Sequence, residues 1–457
     1  MSAQDVRPKA TRSPNQAKTL AVSFLLIILF GAGLLMLPIA HEPGVIITPL
    51  QAVFSATSAT CVTGLMVVDP AAAYSLFGEI VLLCLIQLGG LGFMLFATSV
   101  LVLAGRRVSL RSRVLLHDTM SLPGLSGAVR NTLRFVLIAF GVEILGAMLL
   151  SIHFIPRLGA ARGVYFAVFH AISAYCNAGI DLFSTAGSLT TFVDDPLVLL
   201  TFVGLIVLGG LGFAVLADVL DKGRRPRRFA LHTKIVLVTT VFLLVSGTLF
   251  FMLAEWNNPM TLGAGRGLGD KLLNAFFQSV TTRTAGFYSV SQSGLTDASK
   301  MVTTLLMFIG ASPASTGGGV KTSTLFVLLA IIRSVLAGRD EVNAFGKRLP
   351  LVLIRTALSI FLLYLALLFG GSVLMGLLEQ PRGFSMIDLV FEEVSALGTV
   401  GLTAANTPTL TRPSQIWLIV LMYFGRVGPL TMMLSITRRH AGYKTGVRYP
   451  EEEIIVG

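Results

Sequence analysis

Four copies of one short phrase carry the chemistry this chain can offer: Ser-Ala-Thr-Cys-Val-Thr-Gly-Leu at 58–65, Ser-Ala-Tyr-Cys-Asn-Ala-Gly-Ile at 173–180, Val-Thr-Thr-Arg-Thr-Ala-Gly-Phe at 280–287 and Ser-Ala-Leu-Gly-Thr-Val-Gly-Leu at 395–402. Each places a bulky apolar residue after its glycine (Gly64, Gly179, Gly286, Gly401), and three carry Ser-Ala six and five residues before it. What these residues supply is main-chain oxygen. Glycine visits positive φ without a Cβ penalty, so the triplets Val62-Thr63-Gly64, Asn177-Ala178-Gly179, Thr284-Ala285-Gly286 and Thr399-Val400-Gly401 can aim carbonyls inward. A ring of carbonyls can replace the hydration shell of a dehydrated monovalent cation. The hydroxyl and amide groups of Thr63, Asn177, Thr284 and Thr399 can either join as ligands or brace the loops. The glycines are 115, 107 and 115 residues apart, which marks a duplication of whole structural units. Four copies predict four walls of one pore.

The elements that must position these phrases follow from composition. A mean hydropathy of +0.80, 54% hydrophobic residues and 13% charged residues exclude a soluble globule, whose charged share is about 25%. Apolar runs of about 20 residues, enough to cross a bilayer, recur along the chain. The net charge of +12 does not point to nucleic acid, because the basic residues sit in alternate loops. Arg7, Lys9, Arg12 and Lys18 precede the first span; Arg106, Arg107, Arg111 and Arg113 follow the first phrase; Lys222, Arg224, Arg225, Arg227 and Arg228 follow the second. Arg333, Arg339, Lys347, Arg348 and Arg355 follow the third, and Arg438, Arg439, Lys444 and Arg448 close the chain. The positive-inside rule then makes both termini and all three inter-repeat loops cytoplasmic, against an anionic lipid surface.

The fold expected is an all-α polytopic membrane protein of four parallel repeats, each a span, a re-entrant helix and loop, and a second span around a central pore. The repeats are 19–104, 129–220, 235–336 and 351–436, with cytoplasmic tails at 1–18 and 437–457. The short segments 49–64, 164–179, 271–286 and 386–401 are too brief to cross. They begin and end on the outer side, so they must dip in and return, giving eight crossings and four re-entrant loops. Irregular backbone at that depth is tolerated only against protein or a wet cavity. The negative C-terminal ends of the re-entrant helices favour a cation over an anion.

These phrases, together with Gly-Ala-Ser-Pro-Ala-Ser-Thr-Gly-Gly-Gly-Val-Lys-Thr at 310–322, Gly-Arg-Val-Gly-Pro-Leu-Thr at 425–431 and Arg-Tyr-Pro-Glu-Glu-Glu at 448–453, resemble the superfamily of K⁺ transporters that includes Trk, Ktr and HKT. Trk-type subunits usually carry an extra pair of spans before the first repeat, so the resemblance is closer to the Ktr-type membrane subunit. It implies K⁺ uptake through a four-glycine selectivity filter in a bacterial inner membrane. It further implies a homodimer and a cytoplasmic ring of adenine-nucleotide-binding regulatory subunits, with no organic cofactor on this chain. In the resembled plant transporters a serine at the first filter position accompanies Na⁺ preference, and four glycines accompany K⁺ conduction. Na⁺ dependence is a family trait that these residues do not locate.

Other motifs are weighed on the same footing. Segment 310–321 superficially looks like a nucleotide-binding loop, but Val320 interrupts the Gly-Lys ending. Pro313 and Gly317-Gly318-Gly319 would break a helix there. With Gly310 and Lys321 they form either a packing kink or, as the resemblance implies, an intramembrane loop that gates the pore. Leu-Gly-Gly-Leu-Gly-Phe at 88–93 and 208–213 reads as a close-packing glycine patch inside a span. Arg426, at the matching place in repeat four, puts a cation in the membrane interior, either in the conduction path or paired with a carboxylate. Arg283 is expected to point away from the pore and brace the filter through an ion pair with Glu392 or Glu393. Cys61, Cys84 and Cys176 define no disulfide framework, and nothing near them completes a transition-metal site. An alternating-access carrier is the rival reading, but it is usually built of inverted repeats, whereas these are parallel. A membrane enzyme would need converging catalytic groups that the six histidines and scattered carboxylates do not make.

Overall fold

The computed structural model describes residues 14–92, 99, 128–183, 187–223, 225–263 and 265–436. The basic cluster at 106–113, the 448–453 motif and the tail at 437–457 lie outside them. Among the described residues the regular elements are helices, apart from a two-residue-per-strand hairpin, Asn343–Ala344 with Lys347–Arg348. The principal helices fall into four groups. The first holds α1 (Pro14–Leu35), α2 (Pro49–Cys61) and α3 (Leu76–Leu91); the second holds α4 (Ala128–Leu158), α5 (Ala160–Tyr175), α6 (Pro196–Leu211) and α7 (Phe213–Lys222). The third holds α8 (Leu231–Ala254), α9 (Leu268–Thr281), α10 (Asp297–Phe308) and α11 (Thr322–Leu336); the fourth holds α12 (Leu351–Glu379), α13 (Met386–Gly398), α14 (Arg412–Val427) and α15 (Pro429–Ile436).

The opening helix of every group is long and apolar. Among the described residues four stretches, Ala17–Leu35, Asn131–Leu158, Leu231–Ala254 and Leu351–Arg382, are long and apolar enough to cross a membrane, and a bent pair, Pro196–Leu211 with Phe213–Lys222, makes a fifth when taken as one span. Their outer faces present large side chains, with Phe30 at 70%, Phe242 at 64% and Phe369 at 76% exposure. Burying such area from water is worth about 25 cal/mol per Å², so these faces belong in lipid. The chain is a membrane protein.

In the first, second and fourth groups the second helix is not the continuous span expected. α3 stops at Leu91, α6 at Leu211 and α14 at Val427, and each stop is a glycine at positive φ: Gly92 (+83°), Gly212 (+92°) and Gly428 (+91°). In the third group the break widens to segment 309–321, between α10 and α11. The glycine patches do two jobs. Their earlier members allow close packing: a Cβ at Gly89 would stand 2.0 Å from the Thr60 carbonyl oxygen, at Gly209 1.9 Å from that of Tyr175, and at Gly425 2.2 Å from that of Leu397. Their last member ends the helix. The sequence reading recognised only the first job.

In each group a contact clasps the end of the first long helix to the N-terminus of the second. Ser75 Oγ donates to the Ile39 carbonyl at 2.6 Å. His153 Nδ1 meets Asp195, the cap of α6, at 2.7 Å. Glu255 accepts from the Thr296 amide (3.0 Å) and hydroxyl (2.7 Å), and Glu379 accepts from the Thr411 amide (2.8 Å), its hydroxyl (2.6 Å) and Ser414 (2.5 Å). Each clasp satisfies orphan donors or acceptors at a helix end. Successive groups are tied as well: Tyr165 on α5 donates to Glu79 on α3 at 2.7 Å, Asn274 on α9 donates to the Val193 carbonyl at 2.9 Å, and Lys300 on α10 pairs with Asp388 on α13 at 2.7 Å.

Candidate cation site

The short helices α2, α5, α9 and α13 end at the four phrases, and the main chain after each takes the same course. Two residues before each glycine the backbone is left-handed: Val62 (φ +57°), Asn177 (+57°), Thr284 (+69°) and Thr399 (+51°). The glycines follow at +96°, +64°, +81° and +96°. Valine and threonine are poor residues for positive φ, and each such outlier costs of order 1–3 kcal/mol unless its surroundings hold it. Here they do. The amides of Thr63, Ala178 and Val400 turn back to the carbonyls of Ser58, Ser173 and Ser395 at 2.9, 2.8 and 2.8 Å. The serine hydroxyls close the turn: Ser58 and Ser395 accept from the Gly64 and Gly401 amides at 3.0 Å, and Ser173 donates to the Ile180 carbonyl at 2.6 Å. Thr281 does the same toward Phe287 in the third copy. This is why Ser-Ala recurs in the phrase.

The four glycines stand against one another in a closed cycle. A Cβ at Gly64 would lie 2.6 Å from the Ala178 carbonyl oxygen, at Gly179 2.7 Å from that of Ala285, at Gly286 2.6 Å from that of Val400, and at Gly401 2.2 Å from that of Thr63. The contacts run through the copies in chain order and return to the first. The four triplets are therefore brought together, with no room for a side chain at any of the four glycines. The Asn177 and Thr284 side chains meet at 3.3 Å, which braces copies two and three. Among the described residues the buried hydroxyls of Thr63 and Thr399 have no hydrogen-bond partner.

Below the ring lies segment 309–321. Its two ends pair through an Ile309–Val320 bridge, and Ala311 donates to the Gly318 carbonyl at 3.2 Å. Ser312 donates to the Gly210 carbonyl at 3.1 Å, and the Thr316 hydroxyl to that of Tyr175 at 3.2 Å. Gly317 and Gly318 face the ring threonines so closely that Cβ atoms there would stand 2.0 Å from Thr284 Oγ1 and 2.3 Å from Thr399 Oγ1. Lys321 Nζ donates to the carbonyls of Gly317 (2.7 Å) and Gly318 (3.2 Å). Arg426 reaches the Thr316 carbonyl from one side and those of Gly89 and Gly90 at the C-terminal end of α3 from the other. Gly310, Pro313, Gly317, Gly318, Gly319, Lys321 and Arg426 thus belong to one assembly, and a cavity of about 290 Å³ opens beneath it. The carboxylate weighed for Arg426 is not its partner. Helix-end carbonyls carry partial negative charge and satisfy the cation instead. Thr316 and Tyr175 escaped the sequence reading, since neither breaks a pattern.

The expected brace between Arg283 and Glu392 or Glu393 is not made. Arg283 is 7% exposed, and its Nη1 has no hydrogen-bond partner among the described residues. Glu392 accepts from the Thr407 hydroxyl, and Glu393 accepts from Ser372 on α12 at 2.7 Å. Both carboxylates turn to elements of their own group, away from the third, so neither reaches Arg283.

An apolar helical bundle in which four short helices bring the glycines of four repeated phrases against one another's carbonyls defines a class, that of polytopic membrane proteins built from repeated units. The family described as TrkH, cation transport protein, matches residues 3–441. The chain is 38% identical over 440 residues to the Ktr system potassium uptake protein B of Bacillus subtilis, covering 96% of each, and 39% identical over 443 residues to the protein of the same name in Vibrio alginolyticus, covering 97% of this chain and 95% of that one. It is 36% identical over 458 residues to the potassium/sodium uptake protein NtpJ of Enterococcus hirae, covering 100% of both. The crystal structure of the potassium transporter TrkH from Vibrio parahaemolyticus shares the fold, with a TM-score of 0.70 over 95% of this chain and 87% of that one at 17% identity. The chain belongs to the TrkH family of cation transport proteins and is a transporter, not an enzyme.

Proposed function

We propose that this chain is the ion-translocating membrane subunit of a Ktr-type system that takes up K⁺ across a bacterial inner membrane. The observation that carries the reading is the closed cycle of Gly64, Gly179, Gly286 and Gly401, each against the carbonyl of the next copy. K⁺ enters from the outer side, exchanges its water for carbonyls of the four triplets, and passes inward when segment 309–321 moves. The clasps repeated in every group support four parallel units, hence eight crossings, three of the second ones broken beneath the ring and one bent into α7. Transport is downhill: moving one elementary charge inward gains about 2.3 kcal/mol per 100 mV. The relatives' names as potassium uptake proteins support K⁺ as the substrate, and the name of the Enterococcus relative brings Na⁺ in as a second ion.

Segment 309–321, held by Arg426 and Lys321, is the gate. The gate carries only short contacts to carbonyls, so a modest push from the cytoplasmic side shifts it. A homodimer with a cytoplasmic ring of adenine-nucleotide-binding subunits supplies that push, docking on the basic inner loops. The test is growth at limiting K⁺, with Rb⁺ uptake, in a bacterium lacking its own K⁺ uptake systems. Rescue by the chain, alone or with its regulatory partner, is expected. Failure with the partner present and the chain in the membrane overturns the reading.

A further inference from the structure

One buried acid takes no part in the ring or the gate. Glu143 sits midway along α4, within the apolar stretch Asn131–Leu158, and is 3% exposed. An ionisable group at that depth is rare and is retained for a reason. No basic side chain among the described residues pairs with it in an ion pair. Its hydrogen-bond partner is Gln87 on α3, whose Nε2 donates to both carboxylate oxygens at 3.1 Å. The other end of the same amide, Gln87 Oε1, accepts from Cys176 Sγ at 3.6 Å. Cys176 immediately precedes the left-handed Asn177 of the second triplet. Behind it there is no slack, since a Cβ at Gly90 would stand 2.4 Å from the sulfur.

The chain of contacts runs from mid-membrane acid to ring. In its ionised form Glu143 accepts only, and with both oxygens taking the Gln87 NH₂ the amide oxygen is turned to Cys176. An apolar residue at 143 would leave that half-buried amide free to flip. Rotating Gln87 removes the one acceptor facing Cys176, and the second ring segment loses its outer support. We propose that Glu143 and Gln87 are the positioning pair that fixes the second filter segment, and that they thereby set how well the chain tells K⁺ from Na⁺. The proposal rests on the filter reading above and concerns residues that touch no permeating ion.

The test measures the concentrations of K⁺ and of Na⁺ that halve Rb⁺ uptake by the full chain in cells, with its regulatory partner co-expressed. The ratio of the two concentrations does not depend on how much protein reaches the membrane. Glu143→Leu and Gln87→Leu are each expected to lower the discrimination ratio at least tenfold. The exchange Gln87→Glu with Glu143→Gln keeps one acid and one amide, with an acceptor still facing Cys176, and is expected to return the ratio to within threefold of the wild type. Should leucine prevent insertion, Glu143→Gln alone keeps the volume and is expected to lower the ratio at least threefold. An unchanged ratio in the single variants, or an exchange no better than they are, overturns the assignment of the pair. A wild-type chain that admits Na⁺ as readily as K⁺ overturns the filter reading and this inference with it.

Discussion

Replacing Gly401 by serine puts the filter reading under the heaviest load. The residue stands at φ +96°, and its Cβ would lie 2.2 Å from the Thr63 carbonyl oxygen, 2.9 Å from the Gly64 Cα and 3.1 Å from the Thr63 carbonyl carbon. Every one of these atoms is backbone of the neighbouring copy, so no flexible side chain can give way. Positive φ alone costs a side-chain-bearing residue about 1–2 kcal/mol. The 2.2 Å approach is 1.2 Å inside the 3.4 Å at which ordinary contact begins, and relief requires the Thr63 carbonyl to shift by that order. A hundredfold preference between two ions is about 2.8 kcal/mol, so the strain is comparable with the whole of it. Gly401→Ser is expected to lower K⁺-over-Na⁺ discrimination about 10- to 100-fold. Gly64→Ser, whose closest approach is 2.6 Å, should lower it less. Gly44→Ala is the control: it shares the positive φ (+84°) but meets nothing within 4 Å, and should leave discrimination unchanged. The assay is Rb⁺ uptake under K⁺ or Na⁺ competition at matched membrane expression. Undiminished discrimination in Gly401→Ser, or a larger loss in Gly64→Ser, would refute the reasoning.

Arg426→Gln removes charged donors from the Thr316, Gly89 and Gly90 carbonyls. Each such bond is worth about 1.5–3 kcal/mol, so Rb⁺ flux into liposomes holding the chain without a partner should rise at least tenfold; equal flux would remove Arg426 from the gate. Lys300→Met leaves the partly buried Asp388 unpaired and should destabilise the chain by about 1.5–3 kcal/mol, while Lys300→Met with Asp388→Leu should recover most of it in thermal unfolding. Glu255 lies just beyond the end of its span. Burial would raise its pKa, but hydrogen bonds from Ser299, Thr261 and Thr296 outweigh this and hold it below the ordinary carboxylate value. A depressed native pKa gives stability that is fully present above the unfolded value of about 4.3. That stability is lost as pH falls through the depressed value. Glu255→Gln should therefore lower the melting temperature at pH 7 and flatten its decline between about pH 5 and 3; a parallel decline in both proteins would contradict the assignment.

Much of this chain can be read without its fold, because the features concerned are local or repeated. Hydropathy alone demands a bilayer, and the long opening helices stand where apolar runs of sufficient length begin. The phrase around each glycine is visible as a repeat because one backbone course recurs four times, with a left-handed residue in each copy and a hydroxyl to close the turn, serine in three copies and Thr281 in the other. The break at 309–321 is legible through Pro313 and the three glycines. The breaks at Gly92, Gly212 and Gly428 were not, since a single glycine inside an apolar run also serves close packing, and only the φ values separate the two uses.

Partnership of buried polar groups belonged to the tertiary structure. Arg283 and the two glutamates lie on corresponding stretches of neighbouring copies, yet Glu392 and Glu393 turn to Thr407 and Ser372 within their own group. Arg426 joins carbonyls 110 and 336 residues away in the chain, and Gln87 meets Glu143 across 56. Spacing along the chain carries no record of such meetings. A charge in a low-dielectric interior takes whatever complementary dipole the packing of distant helices brings within about 3 Å. Composition and repetition determined that this protein belongs in a membrane and carries one glycine phrase four times. Helix packing alone decided which carbonyl stands against each of those glycines and which groups hold segment 309–321.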